Sequence, residues 1–247
     1  MKIGIIIPVV QTELAKKLIE QLAQGTVKPD KLIIIDVSEY GQGIINPHFD
    51  LDIAYRRYPP QCNRGYYMPD LGTNEAWTLG YDILAKYIPY YGIAGFLNDD
   101  IEISPYFIQN ISLSYNTHKN ISLLYPQTVG KLSKLQDVQV SYKVRKTKTR
   151  NGYAWFIPRQ IFDEIPPFPE ECKIWYGDNW IMSHLRRLGY SININYGNYV
   201  YHHGHITSTQ LKIDLSAHNL HLSKRRREEH KSYLRAIRKW REGNKND

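Results

Sequence analysis

Residues 3–10 read IGIIIPVV and residues 31–36 read KLIIID, two short apolar runs rich in β-branched side chains. An apolar run without polar alternation predicts a strand covered on both faces. Between the two runs, Leu14, Leu18, Ile19 and Leu22 recur at helical spacing over 13–24, Thr12 stands where an N-cap belongs, and Gly25 follows. Strand, helix and strand within the first 36 residues make a βαβ unit, and such a unit dictates a parallel sheet. The chain therefore reads as α/β.

The rest of the chain continues that alternation. Ile53–Tyr58 reads as a third strand, followed by a Pro- and Gly-rich loop. A helix over about 73–87 turns Ala76, Leu79, Ile83 and Leu84 inward, and Ile93–Leu97 is a strand stopped by Asn98-Asp99-Asp100. Pro105–Leu113 reads as helix, Ile121–Tyr125 as strand, residues 130–151 as a polar, basic loop or hairpin, and Gly152–Ile157 as strand. Gly177–Leu188 is an amphipathic helix with Ile181, Met182, Leu185 and Leu188 on one side. Tyr190–Asn195 and Tyr199–Tyr201 read as short strands ending in His202-His203-Gly204-His205. A basic helical extension follows, so we expect one domain over 1–207 and a C-terminal appendage over 208–247.

A chain of 247 residues can bury a core of this kind. Its two cysteines, Cys62 and Cys172, form no CxxC pair, so neither a zinc site nor a disulfide framework is indicated. No apolar run approaches the roughly 20 residues of a membrane span, and a soluble, cytoplasmic protein is expected. The net charge of +8 is uneven: nine Lys/Arg against three Glu over 224–242 give +6, five Lys/Arg over 143–150 give +5, and the remainder is 8 − 6 − 5 = −3. That distribution suits an enzyme with an anionic substrate or acceptor better than a domain that coats nucleic acid.

The chemistry concentrates at strand ends. In open α/β sheets ligands bind beyond the carboxyl ends of the strands. Asn98-Asp99-Asp100 after a buried strand is either a polar turn or a set of hard oxygen ligands for Mg²⁺ or Mn²⁺. Asp36 ends another strand of the same sheet, which brings a second carboxylate to the same edge. Asp178, at the start of a helix, suits an N-cap and equally a general base facing a cleft. The histidines at 202–205 offer an imidazole ligand, although neighbours in one strand seldom converge on a single ion. The chain holds no GxxxxGK[ST], no GxGxxG after its first strand, no GxSxG and no HExxH, which disfavours P-loop NTPases, dinucleotide oxidoreductases, α/β-hydrolases and zincins.

Taken in order, these segments resemble family 2-like glycosyltransferases of the GT-A fold. IGIIIPVV with KLIIIDVS is similar to the family's first βαβ unit, and LGTNEAWTLGYDIL to its Ala-Trp-Asn-x-Gly helix, with Thr78 in place of the Asn. GFLNDDIEIS resembles its DxD region, GYAWFIPRQIFDEI its acceptor-side strand and helix, IWYGDNWIMSHLRRLGY its Glu-Asp helix with Gly177 in place of the first acid, and VYHHGHITS its closing His element. The resemblance implies a mostly parallel sheet flanked by helices and a nucleotide-sugar donor, a UDP-sugar first. It places Pro8, Val9, Asp36, Asn98 and Asp99 at the donor, and Asp100 and His202 on Mn²⁺ or Mg²⁺. Asp178 becomes the base of an inverting transfer, with Trp155, Gly177, Asn179 and Trp180 on the acceptor side. A saccharide, a lipid-linked glycan or a modified DNA base would serve as acceptor. In the basic tail itself, Tyr233, Leu234, Ile237 and Trp240 form an apolar stripe that suits packing on the domain or on a second subunit, while its charge suits anionic membrane lipid, nucleic acid or a partner protein. Two other readings fit the same residues: a module that binds a nucleotide-sugar or polyanion without turnover, and a nucleotidyltransferase. PVVQTELAK lacks the latter's Gly-rich basic loop.

Overall fold

In a computed structural model of the protein the described residues are 1–38, 50–58, 71–148, 152–172, 176–203 and 215–243, with the backbone alone described for 215–223 and 225. The opening βαβ unit forms as expected: β1 (Ile3–Val9), α1 (Thr12–Gln24) and β2 (Lys31–Asp36), with β1 and β2 paired in parallel. Thr12 does not cap α1. Gln11 occupies that position without a side-chain cap, and the Thr12 hydroxyl lies 3.3 Å from the Ser38 Oγ instead. There follow β3 (Ile53–Arg57), α2 (Thr73–Leu84), β4 (Ile93–Leu97), β5 (Ile101–Ile103), α3 (Phe107–Thr117), β6 (Leu123–Val129), β7 (Val144–Lys146), β8 (Ala154–Pro158), α4 (Arg159–Phe162), α5 (Gly177–Arg187), β9 (Ile192–His202) and α6 (Leu215–Gly243).

These strands form one sheet in the order β3-β2-β1-β4-β8-β6-β9-β5, with β7 also on β9. The half built from β3, β2, β1 and β4 is parallel, as a βαβ start requires. Beyond β4 the sheet is mixed: β8 runs antiparallel to β4 and β6, β6 and β9 are parallel, and β5 and β7 run antiparallel to β9. The two short strands expected at 190–201 are one strand, β9, whose pairing with β6 shifts register between Pro126 and Gln127. The 130–151 segment includes a 3-10 turn at Leu132–Leu135 and strand β7.

Period-two alternation sends β1 side chains to two cores. Ile3, Ile5, Ile7 and Val9 pack with Leu18, Ile19 and Leu22 of α1 and with Phe107 and Ile111 of α3. Ile6 faces the other side, with Trp77, Tyr81 and Leu84 of α2 and Ile181 and Leu185 of α5. Burial on both faces is why the strand sequence is continuously apolar. Gly80 lets α2 lie directly on β1, since a Cβ there would run into the Ile6 side chain.

The C-terminal helix α6 packs back against α5. Ile237 is buried, the Trp240 ring lies 3.9 Å from that of His184, and the Tyr233 hydroxyl is 2.9 Å from the Ser183 Oγ. Its opposite face exposes Arg227, Lys231, Arg235, Arg238 and Arg241. The division expected between 207 and 208 lies outside the described residues. Among the described residues no helix is long and apolar enough to cross a membrane.

Candidate active site

The ends of β4, β5, β8 and β9 bring the chemically active side chains to one edge of the sheet. β4 stops after Leu97, and the Asn98 N–H donates to the Tyr153 carbonyl at 2.8 Å, so this turn is stitched to the segment entering β8. Asp100 follows, beside His202 at the end of β9, because Ile101 pairs with His202 in the β5–β9 ladder. The Asp100 Oδ2 lies 3.1 Å from the His202 Nε2. The other oxygen of Asp100, Oδ1, is buried without a hydrogen-bond partner, as is Asn98 Oδ1. The Tyr153 ring stacks on the His202 ring, 4.0 Å between centroids and 8° from parallel. Thr128 hydrogen-bonds the Tyr153 hydroxyl, which fixes that ring in turn.

A buried carboxylate oxygen with nothing to accept from is costly unless a cation or donor meets it. The Asp100 carboxylate and the His202 imidazole beside it make a hard N/O pair. Among the described residues no group of three or more His, Cys, Asp and Glu side chains forms a cage. Two protein ligands suit Mg²⁺ or Mn²⁺, which keep waters and take substrate phosphate oxygens for the remainder. The residues present therefore fit a divalent ion.

Asp178 lies in the first turn of α5, against the Gly152 backbone: a Cβ on Gly152 would sit 3.4 Å from the Asp178 Cγ and Oδ2. Gly152-Tyr153 thus connects Asp178 on one side with Asn98 and His202 on the other. Neighbouring Asn179 also carries a buried Oδ1 without a hydrogen-bond partner.

Several residues expected to touch a donor have another position. Asp99 turns back to the β1–α1 loop, where its Oδ2 accepts from the Val10 and Gln11 N–H groups at 2.6 and 2.5 Å. Burial pushes its carboxyl up to about 7, the two N–H groups oppose that, and the Asp100 charge adds to it. Asp36 is fully buried: one oxygen accepts from the Ser38 N–H at 2.9 Å and hydroxyl at 2.6 Å, and the other from the Tyr55 hydroxyl. Both oxygens thus accept from protein groups, and the carboxylate is enclosed among the described residues. Pro8 and Val9 are buried within the sheet, and the half-exposed residues of that loop are Val10 and Gln11.

The acceptor-side expectation needs a similar correction. Trp155 is a core residue, 1% exposed, stacked 3.8 Å from the Phe96 ring and edge-on to Trp77. Trp180 is buried and donates from its indole N–H to the Pro166 carbonyl at 2.9 Å. At Gly177 a Cβ would collide with the Asn74 side chain, so close packing demands the glycine where an acid was expected from the resemblance. Thr78 bonds its own helix, Oγ1 to the Asn74 carbonyl at 3.0 Å.

Sequence reasoning missed Tyr153, which nothing singled out among 20 tyrosines, and a second acid–imidazole pair. Glu102, in β5, accepts from Lys17 Nζ at 2.7 Å and Gln21 Nε2 at 3.2 Å and sits 2.8 Å from His203 Nε2, tying α1 to the end of β9. Burial pulls its carboxyl upward, and Lys17 and His203 outweigh that to hold it low. The histidine run thus divides, His202 to Asp100 and His203 to Glu102. His205, Thr207 and Ser208 lie outside the described residues.

The βαβ start and the mixed sheet beyond the fourth strand match the GT-A glycosyltransferase fold. Solved structures of that fold superpose on this chain. GalNAc-T7, with UDP, GalNAc and Mn²⁺, matches at TM-score 0.60 and 11% identity over 82% of this chain and 44% of its own. TarS of S. aureus, residues 1–349 with UDP-GlcNAc, matches at 0.53 and 14% over 81% and 58%. Glucosyl-3-phosphoglycerate synthase from Mycobacterium tuberculosis, with Mn²⁺, UDP and glucosyl-3-phosphoglycerate, matches at 0.54 and 16% over 85% and 74%. The chain thus spans less than two thirds of the length of the first two. No family model matches the chain, and no curated protein matches it by sequence.

Proposed function

We propose that the protein is a metal-dependent glycosyltransferase that moves a sugar from a nucleotide-sugar to an acceptor hydroxyl with inversion. The observation that carries this reading is the Asp100–His202 pair, with its buried, unpartnered Asp100 Oδ1, at the strand ends of a GT-A sheet. Structures of the same fold carry UDP with Mn²⁺, which makes a UDP-sugar the first donor to test. Asp100 and His202 would hold Mn²⁺ or Mg²⁺, with Asn98 lining the same corner. Bound there, the ion offsets negative charge on the donor diphosphate and improves it as a leaving group.

The protein's own groups supply the rest. Asp178 takes the proton of the acceptor hydroxyl as its oxygen attacks the anomeric carbon. The new C–O bond forms on the face opposite the breaking bond to the diphosphate, and nucleoside diphosphate leaves. One displacement inverts the anomeric configuration. Asp99 and Asp36, both engaged by protein donors, brace the loops around the donor. The exposed cations of α6, Arg227, Lys231, Arg235, Arg238 and Arg241, favour an anionic acceptor.

The test is nucleoside diphosphate release from UDP-, GDP-, CDP- and dTDP-sugars with Mn²⁺. One donor class supports release in the wild type, and Asp178→Asn lowers it by about 10²–10⁴, the usual worth of a general base, while nucleotide affinity persists. No release from any donor by the folded protein, or release indifferent to Asp178→Asn, contradicts the proposal.

A further inference from the structure

Tyr176 is the non-glycine residue with positive φ among the described residues, at 68°. The chain enters α5 through it, and Gly177 and Asp178 follow immediately. A bulky L-residue in the left-handed region is strained, because its Cβ crowds the neighbouring carbonyl, and it persists only where its surroundings hold it. The surroundings here are the C-terminal helix. The Tyr176 ring stacks on His230, 5.1 Å between centroids at 16°, and on Tyr233, 5.5 Å at 15°. His230 and Tyr233 are three residues apart and so lie on one face of α6.

Two further contacts flank that stack. The Tyr233 hydroxyl lies 2.9 Å from the Ser183 Oγ in the second turn of α5. Before the turn, the Cys172 thiol reaches the Glu229 carbonyl at 3.5 Å, and Asn74 Nδ2 donates to the Cys172 carbonyl at 2.6 Å. The close approach of Asn74 to Gly177 removes the other freedom at this turn. The helix start that presents Asp178 is thus held from α2 on one side and from α6 on the other.

We infer that α6 is a positioning element for the candidate base: His230 and Tyr233 hold Tyr176 in its left-handed turn, and that turn sets the direction from which Asp178 leaves α5. The inference rests on Asp178 acting as the general base. Asp100 and His202 belong to other elements, at the β4–β5 turn and the end of β9, so loosening α6 affects the chemical step and spares nucleotide and metal binding.

The experiment is a double-mutant cycle read by steady-state kinetics, nucleotide affinity and hydrogen exchange. Tyr233→Ala lowers kcat by about tenfold to a hundredfold, the cost of a small displacement of a catalytic group, with donor KM and Mn²⁺-dependent nucleotide affinity within about twofold of wild type. Tyr233→Phe keeps the stacked ring and most of kcat. Glycine adopts positive φ freely, so in a Tyr176→Gly background Tyr233→Ala costs less than about twofold. Amides 176–180 exchange faster in Tyr233→Ala than in the wild type. Equal losses from Tyr233→Ala in both backgrounds, or unchanged kcat and exchange, overturn the inference. If the wild type turns over no donor, the glycosyltransferase reading fails on its own, and the exchange comparison decides whether α6 holds the turn.

Discussion

The Asp100 Oδ2 and the His202 Nε2 meet at 3.1 Å across the β5–β9 pairing, and behind His202 the Tyr153 ring is stacked at 4.0 Å. The imidazole is held from one side by a flat aromatic surface and aimed at a carboxylate by the strand register. For the proposed cation, a pair fixed by backbone pairing would not have to be assembled on binding, which lowers the entropic cost.

Replacing His202 with Gln therefore weakens Mn²⁺ affinity in the presence of nucleotide by at least about tenfold, since losing even a group that only supports a metal ligand costs that much. Side-chain exposure of His202 is 23%, so global stability changes by less than about 1 kcal/mol. Calorimetric titration and denaturant unfolding of the same variant separate the two effects.

Trp155 serves as a contrast. It is 1% exposed and stacked on Phe96, so Trp155→Ala costs about 3–5 kcal/mol of stability through lost burial and a cavity. Urea unfolding reads that loss directly. An acceptor-binding tryptophan would instead raise the acceptor KM with little change in stability.

Gly177→Ala places a methyl group into the Asn74 side chain and strains the Asn74 bond to the Cys172 carbonyl. Overpacking of this kind costs roughly 1–3 kcal/mol, and the strain falls on the first turn of α5 beside Asp178. The expected result is a lower midpoint in urea together with a lower kcat.

Protonation of His184 is expected to destabilise the fold where α6 docks on α5. This side chain lies buried between Trp180 and Trp240, with ring centroids at 4.2 and 3.9 Å; its Nδ1 meets the Trp180 carbonyl, and its Nε2 has no hydrogen-bond partner. Burial, aided by the Arg187 charge, lowers its pKa from the ordinary 6.5. The folded state thus resists a proton that the unfolded chain accepts. Stability is full above pH 6.5 and falls as the pH drops below it, by up to about 1.4 kcal/mol per pH unit for this one group. Unfolding midpoints between pH 7.5 and 5.5 check the slope, which His184→Leu flattens.

The parallel half of the fold was legible because β1 and β2 are apolar on both faces and the intervening helix shows a clean 3.6-residue period. The mixed half was not: β8 lies between β4 and β6 through pairings that no local pattern in GYAWFIP announces. The break expected between Asn195 and Tyr199 coincides with a bulge: β6 pairs up to Asn195 and resumes at Tyr199, and β9 runs on across the residues between as one strand. At the site, Asp100 and His202 were legible as ligand types at strand ends. Asp36 and Asp99 were placed at the donor because they too stand at strand ends; the Ser38 bonds to Asp36 are local, whereas the Tyr55 hydroxyl on Asp36 and the Val10 and Gln11 N–H groups on Asp99 come from distant parts of the chain that spacing does not encode. Tyr176 carried no sign of its left-handed backbone, since its partners His230 and Tyr233 lie more than fifty residues later.

The most direct test of the account is calorimetric titration of UDP, GDP, CDP and dTDP into the wild type and Asp100→Asn, with and without Mn²⁺. The account predicts that one diphosphate binds the wild type only with Mn²⁺, and that Asp100→Asn weakens that binding by about 100-fold or more with the fold intact. Binding that ignores both Mn²⁺ and the substitution, or no binding of any diphosphate to the folded wild type, would contradict it.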